Sequence, residues 1–260
     1  MNLKNKNYYT YIKNKTIPIV FIHGVGLDRN MWTPQINFFR KYSTLTYDLL
    51  GHGKTPFNED KIIIEDYTHQ LISLIEDLKI SKLHLVGFSI GSLIAMDFAA
   101  NFNNKLSSLT LIATTYRRNQ KQRQEVIDRV NLAKSNKPIS KLALKRWFTD
   151  EYLEKNPKIY EEFMRILTKE PEEQKNFIKA YELFAHHKDD IEKIKKINTR
   201  TLVMTGSIDP GSTPEMSKNL SSDLKNSQYI EINNGKHLCS IECSYDVNIN
   251  IEKFIINDPN

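Results

Sequence analysis

The sequence predicts an α/β protein: a mostly parallel central sheet with helices on both faces, interrupted by one helical insertion. Three observations carry this expectation. Short continuous apolar runs such as Ile19-Val20-Phe21-Ile22 suit strands buried on both faces, and they alternate with segments whose apolar residues recur at helical spacing. The stretch from Lys82 to Phe98, KLHLVGFSIGSLIAMDF, passes from strand pattern to helix pattern through one glycine-flanked turn. From Arg117 to about Lys188 no strand pattern occurs, and a structureless loop of that length does not fit inside a compact domain.

Taken in order, Tyr8 to Ile12 reads as an edge strand. Pro18 opens the Ile19–Ile22 strand from its first position, where a missing N–H does least harm. Met31, Trp32, Ile36 and Phe39 mark one face of a helix expected over Met31 to Tyr42. Leu45 to Leu50 reads as a second buried strand. Tyr67, Leu71, Leu74, Ile75 and Leu78 then space a helix from about Ile64 to Leu78. Leu83, Leu85 and Val86 form the next strand, a buried helix follows from Leu93, and Leu106 to Ala113 is a further strand. The insertion is charged and helical, with apolar groups such as Val130, Leu142, Leu144, Phe163 and Phe177. The alternation resumes with a strand at Arg200–Thr205, a helix at Glu215–Leu220, a strand at Tyr229–Ile232 and a helix at Tyr245–Ile256.

A chain of 260 residues buries a large core and suits one domain with an insertion, and its 40% hydrophobic and 26% charged residues are ordinary for a globular protein. The net charge of +6 comes from basic residues mixed with acids along the chain, as in Lys169-Glu170-Pro171-Glu172-Glu173. That mixing reads as a solvated surface, without a nucleic-acid partner. The N-terminal stretch MNLKNKNYYTYIKNK lacks the apolar run of a signal peptide and no later stretch is long enough to cross a bilayer, so the expectation is a cytoplasmic protein with no membrane partner. Cys239 and Cys243 are spaced for one helical face, as small packing residues.

In parallel sheets ligands bind beyond the carboxyl ends of the strands, and this rule selects the residues that carry chemistry. Gly87-Phe88-Ser89-Ile90-Gly91 sets Ser89 on a sharp strand-to-helix turn, with glycines where Cβ atoms would clash, and leaves the Ile90 amide at a helix N-terminus. A serine hydroxyl needs a base to take its proton, and the base needs an acid to fix its tautomer. His237 and Asp209 are the candidates, each just past an expected strand and following the serine in the order Ser, Asp, His. Each has a plainer reading, Asp209 as a turn former in Asp-Pro-Gly and His237 as a loop histidine. His84 in a strand, His69 on a helix and His186-His187 in the insertion form no metal-ligand set, and Gly51-His52-Gly53 is expected to shape its turn.

Together, His23-Gly24, Gly51-His52-Gly53, Gly87-Phe88-Ser89-Ile90-Gly91, Gly206 to Asp209 and His237 resemble the α/β-hydrolase superfamily over nearly the whole chain. The resemblance implies that the Val25 amide pairs with that of Ile90 as an oxyanion hole. It also implies that the insertion is a helical cap. The chain then divides into residues 1–116 and 191–260 as two parts of the hydrolase core, with 117–190 as the cap. A narrower likeness is to 3-oxoadipate enol-lactonases and the small esterases near them, through Arg146-Trp147-Phe148-Thr149 and the run from His237-Leu238 to Ile241-Glu242. Two features depart from the pattern: Lys236 precedes His237, and the segment before Pro18 is short for a leading hairpin.

The implied activity is hydrolysis of a small-molecule ester or lactone with no metal and no organic cofactor. Trp147, Phe148 and Phe184 are candidates for an apolar acyl pocket, with core packing as the alternative for aromatic residues at helical spacing. Arg146 is a candidate for a substrate carboxylate, with a solvated cap residue as its alternative. C–C hydrolysis, cofactor-free perhydrolysis and non-catalytic small-molecule binding share the fold and remain alternatives at this stage.

Overall fold

The computed structural model describes residues 7–135, 140–168 and 170–256; residues 1–6 of the N-terminal stretch lie outside them. Its strands are β1 (Tyr9–Ile12), β2 (Ile19–Ile22), β3 (Thr44–Tyr47), β4 (Leu83–Phe88), β5 (Leu106–Ile112), β6 (Thr201–Gly206) and β7 (Ser227–Ile232). They form one seven-stranded sheet in the order β1-β3-β2-β4-β5-β6-β7. Only β1 is antiparallel, pairing Tyr9 with Tyr47 and Ile12 with Thr44 at the sheet edge.

Successive side chains on each strand point to opposite faces, which splits the core in two. Val20, Leu85, Leu109 and Val203 pack with α2 (Ile64–Asp77), α3 (Ile90–Phe102) and α10 (Pro214–Asp223) on one face. Ile19, Phe21, Val86, Leu202 and Met204 pack on the other with Trp32 and with Ile251 and Phe254 of α12 (Ser244–Ile256). Strands β2, β3, β4 and β6 are buried at every position, and β2 is a continuous apolar run as a strand covered on both faces should be.

Between β5 and β6 the chain forms α4 (Gln120–Lys134), α5 (Ser140–Trp147), α6 (Asp150–Lys155), α7 (Pro157–Leu167), α8 (Pro171–His186) and the short α9 (Ile191–Lys195). Among the described residues this segment holds no strand. Leu142, expected among its apolar contacts, is 59% exposed. No helix among the described residues is long and apolar enough to cross a membrane.

Two elements differ from expectation for identifiable reasons. The helix expected over Met31 to Tyr42 starts earlier and ends sooner, as a 3-10 turn at Arg29–Trp32 followed by α1 at Thr33–Phe38. Asp28 starts the turn by accepting from the Asn30 amide at 2.8 Å, and Pro34, which has no N–H to donate, restarts the helix in its first turn. The strand expected to reach Leu50 stops at Tyr47. There the Asp48 side chain takes the Arg29 and Lys54 amides at 3.0 and 2.9 Å, and the Leu49 amide turns to His23 Nε2 at 3.0 Å, which diverts the backbone from the ladder.

Candidate active site

Ser89 stands between β4 and α3 with φ 55° and ψ −117°, a left-handed conformation that a non-glycine residue holds only under strong constraint. The constraint is visible in its neighbours. A Cβ on Gly87 would lie 2.3 Å from the Gly91 carbonyl oxygen, and one on Gly91 would lie 2.4 Å from that of Ile22. Strand and helix therefore approach closer than any side chain permits. The Ser92 hydroxyl buckles the turn, donating to the Gly87 carbonyl at 2.7 Å and accepting from the Ile112 amide at 3.2 Å.

Ile90 is the first residue of α3, where the amide has no intrahelical partner. Val25 lies on the loop after β2 and lines the same cavity as Ser89. That loop is pinned by His23, whose Nδ1 donates to the Gly24 carbonyl at 2.8 Å while Nε2 accepts from the Leu49 amide, so the ring is held as one neutral tautomer. His52, buried, donates from Nδ1 to the Leu50 carbonyl at 3.1 Å and packs edge-on against His23 at 5.3 Å, the turn-shaping place expected of it. His84 is buried and bonded to Ser108, and His69 is exposed.

Asp209 follows β6 and is buried; Oδ1 accepts from the Gly211 and Ser212 amides at 2.8 and 3.0 Å, and Oδ2 accepts from His237 Nδ1 at 2.7 Å. Three donors fix this carboxylate, so it in turn fixes the imidazole with Nε2 free of the proton. His237 sits after β7 on a tight turn that starts with Asn234 at φ 58° and packs Gly235 against Gly206, where a Cβ would meet the Gly235 carbonyl at 2.2 Å. The Phe88 ring lies 5.0 Å from the imidazole. Ser89 and His237 face one cavity, although among the described residues no hydrogen bond joins the Ser89 hydroxyl to the imidazole.

The cavity lies between the strand ends and the helical segment. Arg146, Trp147 and Phe184 line it as expected. Phe148 does not: it is fully buried, stacked on Tyr152 at 5.4 Å and set edge-on to Phe163 at 5.2 Å. Phe148 follows the last residue of α5, and its ring turns into the aromatic cluster with Tyr152 and Phe163 while Trp147 stays at the cavity. Arg146 lines the cavity, and burial pushes its pKa down, with Tyr181 opposing.

Several residues that shape this site escaped the sequence reading. Val126, Arg129, Leu167, Phe177 and Tyr181 also line the cavity. Arg118, with its pKa lowered to about 10 by burial, donates to the Phe184 carbonyl at 2.8 Å and lies 5.0 Å over the Phe184 ring, fixing that wall. A clasp ties α5 and α6 to the histidine loop. Glu242 accepts from the Thr149 amide at 3.0 Å, from the Thr149 hydroxyl and from the Lys236 amide at 3.3 Å. The Leu238 amide donates to the Trp147 carbonyl at 3.0 Å, and Lys236 Nζ to the Lys145 carbonyl at 2.7 Å. Thus Lys236, the departure next to His237, fastens the helical segment to the core. Cys239 is fully buried beneath this loop, and burial pushes the Cys243 thiol up to about 11.

Residues 17–242 match the family model described as the alpha/beta hydrolase fold, and the chain belongs to that family. Among characterised relatives it is similar to the (E)-2-((N-methylformamido)methylene)succinate hydrolase of Acinetobacter baylyi, 27% identical over 98% of this chain and 96% of that protein. It is also similar to 3-oxoadipate enol-lactonase 2 of the same organism, 24% identical over 91% of this chain and 87% of that one. Among solved structures the enol-lactonase of Burkholderia xenovorans LB400 superposes with a TM-score of 0.90, 22% identity and 98% of each chain covered, a likeness of fold.

Proposed function

We propose that this protein is a serine hydrolase acting through an acyl-enzyme on a small carboxylic ester or lactone. The observation that carries the reading is the 2.7 Å Asp209–His237 bond opening onto the cavity that the strained Ser89 also faces. Ser89 Oγ attacks the carbonyl carbon as its proton passes to His237 Nε2, and the oxyanion is met by the Val25 and Ile90 amides. His237 returns the proton to the leaving alkoxide as the C–O bond breaks. Water then attacks the acyl-enzyme by the same route, and Ser89 recovers its proton. Residues 117–190 act as a cap that walls the pocket.

The apolar side chains Trp147, Phe177 and Phe184 suit the carbon frame of a small acyl group, and Arg146 suits a carboxylate on it. The names of both Acinetobacter relatives describe substrates built on diacids, which supports a substrate of that kind here. The test is hydrolysis of p-nitrophenyl acetate, with Ser89→Ala as control and a fluorophosphonate as label. Wild type should turn over and label at Ser89, and the variant should do neither. Turnover that survives in Ser89→Ala would remove Ser89 from the chemistry. A wild type that neither turns over nor labels would favour a binding protein on the same fold.

A further inference from the structure

Two arginines face the cavity: Arg146 on α5 and Arg129 on α4. Arg129 Nε donates to the Tyr181 hydroxyl at 3.2 Å, and Arg146 interacts with the same tyrosine. Among the described residues neither guanidinium has a carboxylate partner. The acid that acts electrostatically on Arg146 is Asp209, whose oxygens are already committed to His237, Gly211 and Ser212. Elsewhere the chain supplies its less exposed arginines with oxygens: Arg29 with Asp48 at 2.5 Å, Arg118 with the carbonyls of Phe184 and His187 at 2.8 and 3.3 Å.

Two like charges held close in a mostly apolar pocket repel, and burial penalises each further. Burial first, and the Arg129 charge after it, push the Arg146 pKa down, with Tyr181 and Asp209 opposing. A single entering carboxylate would leave one cation uncompensated, whereas two would balance both, each through a charge-assisted fork. Tyr181 accepts from Arg129 with its oxygen and keeps its own hydrogen to donate.

We propose that Arg129 and Arg146, with Tyr181 between them, form a dicarboxylate-binding site, so that the molecule cleaved carries two free carboxylates besides the bond broken. This rests on the serine-hydrolase reading for the bond and not for the binding. Arg129 belongs to none of the motifs that suggested the family, and it becomes a specificity-determining residue.

The first arm of the test is binding. Isothermal titration with succinate and with butyrate, a four-carbon chain bearing one carboxylate, should show succinate preferred by about tenfold or more. Arg129→Met and Arg146→Met should each weaken succinate by about 10- to 100-fold, toward the affinity of butyrate. Equal affinity for the two acids, no succinate binding, or variants that bind succinate like wild type would overturn the site. If a methionine variant fails to fold, Arg129→Lys replaces it: the charge without the fork should lose part of the preference, and unchanged affinity counts against the proposal.

The second arm is kinetic. The acetyl ester of malate should exceed that of 3-hydroxybutyrate in kcat/KM, and Arg129→Met should narrow the ratio chiefly through KM. If Ser89 proves unreactive, titration alone judges the site. If ester hydrolysis at Ser89 continues with no discrimination between succinate and butyrate, the dicarboxylate site falls and the hydrolase reading stands.

Discussion

Replacing Glu242 by alanine probes how the helical segment is joined to the loop that carries His237. The carboxylate accepts three hydrogen bonds: from the amide and the hydroxyl of Thr149 and from the Lys236 amide, next to His237. Thr149 also caps α6 by accepting from the Tyr152 amide at 3.2 Å. Glu242 is only half-buried, so each bond is taken at the ordinary net value of about 1 kcal/mol, below the charged range, and their joint loss costs about 3 kcal/mol. For a chain of this size that corresponds to a fall in Tm of roughly 6–12 °C. Turnover should fall as well, because the same bonds set Trp147 and Arg146 against the His237 loop. The assay is a thermal melt followed by circular dichroism, alongside kcat/KM for p-nitrophenyl acetate. A melt within about 2 °C of wild type with unchanged kinetics would refute the clasp.

Three further outcomes follow from the geometry. Asp209→Asn keeps the amide acceptor but turns an N–H toward His237 Nδ1, which forces the proton onto Nε2; kcat should drop by about 10^4, and a loss under tenfold contradicts the orienting role. Gly91→Ala drives a Cβ to 2.4 Å from the Ile22 carbonyl, so the serine turn must shift; stability should fall by about 2 kcal/mol or more and labelling of Ser89 should slow, whereas a melt and labelling rate like those of wild type contradict the close approach. Burial holds His187 below its ordinary pKa, with Asp189 opposing and Arg118, Arg123 and Lys193 reinforcing, so the unfolded chain takes up the proton first. Stability is then full above about pH 6.5 and declines below it, and His187→Gln should flatten the fall in Tm between about pH 7 and 5; parallel curves would contradict this.

The sheet was legible because strands buried on both faces leave an unmistakable run, as in Ile19–Ile22 and Thr201–Gly206, and the Gly-x-Ser-x-Gly turn imposes its own geometry. Asp209 and His237 were legible because chain order and strand ends constrain where such partners stand. The walls of the pocket were not. Helical spacing tells that Trp147 and Phe148 are apolar but not which faces a cavity, and the structure gives them opposite fates. Arg129 looked like any charged residue of a solvated helix until α4 and α8 were seen to bring it to Tyr181. The Glu242–Thr149 clasp joins residues 93 positions apart, beyond any local pattern. The short helices at Ile191–Lys195 and Cys239–Glu242 offer too few turns to show a period.

The most direct measurement is to catch the acyl group in transit. Wild-type protein mixed with p-nitrophenyl acetate, quenched over time and digested, should show an acetyl group on the peptide containing Ser89, appearing as fast as the first p-nitrophenolate and disappearing on hydrolysis. Steady release of p-nitrophenolate with no such adduct, or with the acetyl group on another side chain, would contradict Ser89 as the nucleophile.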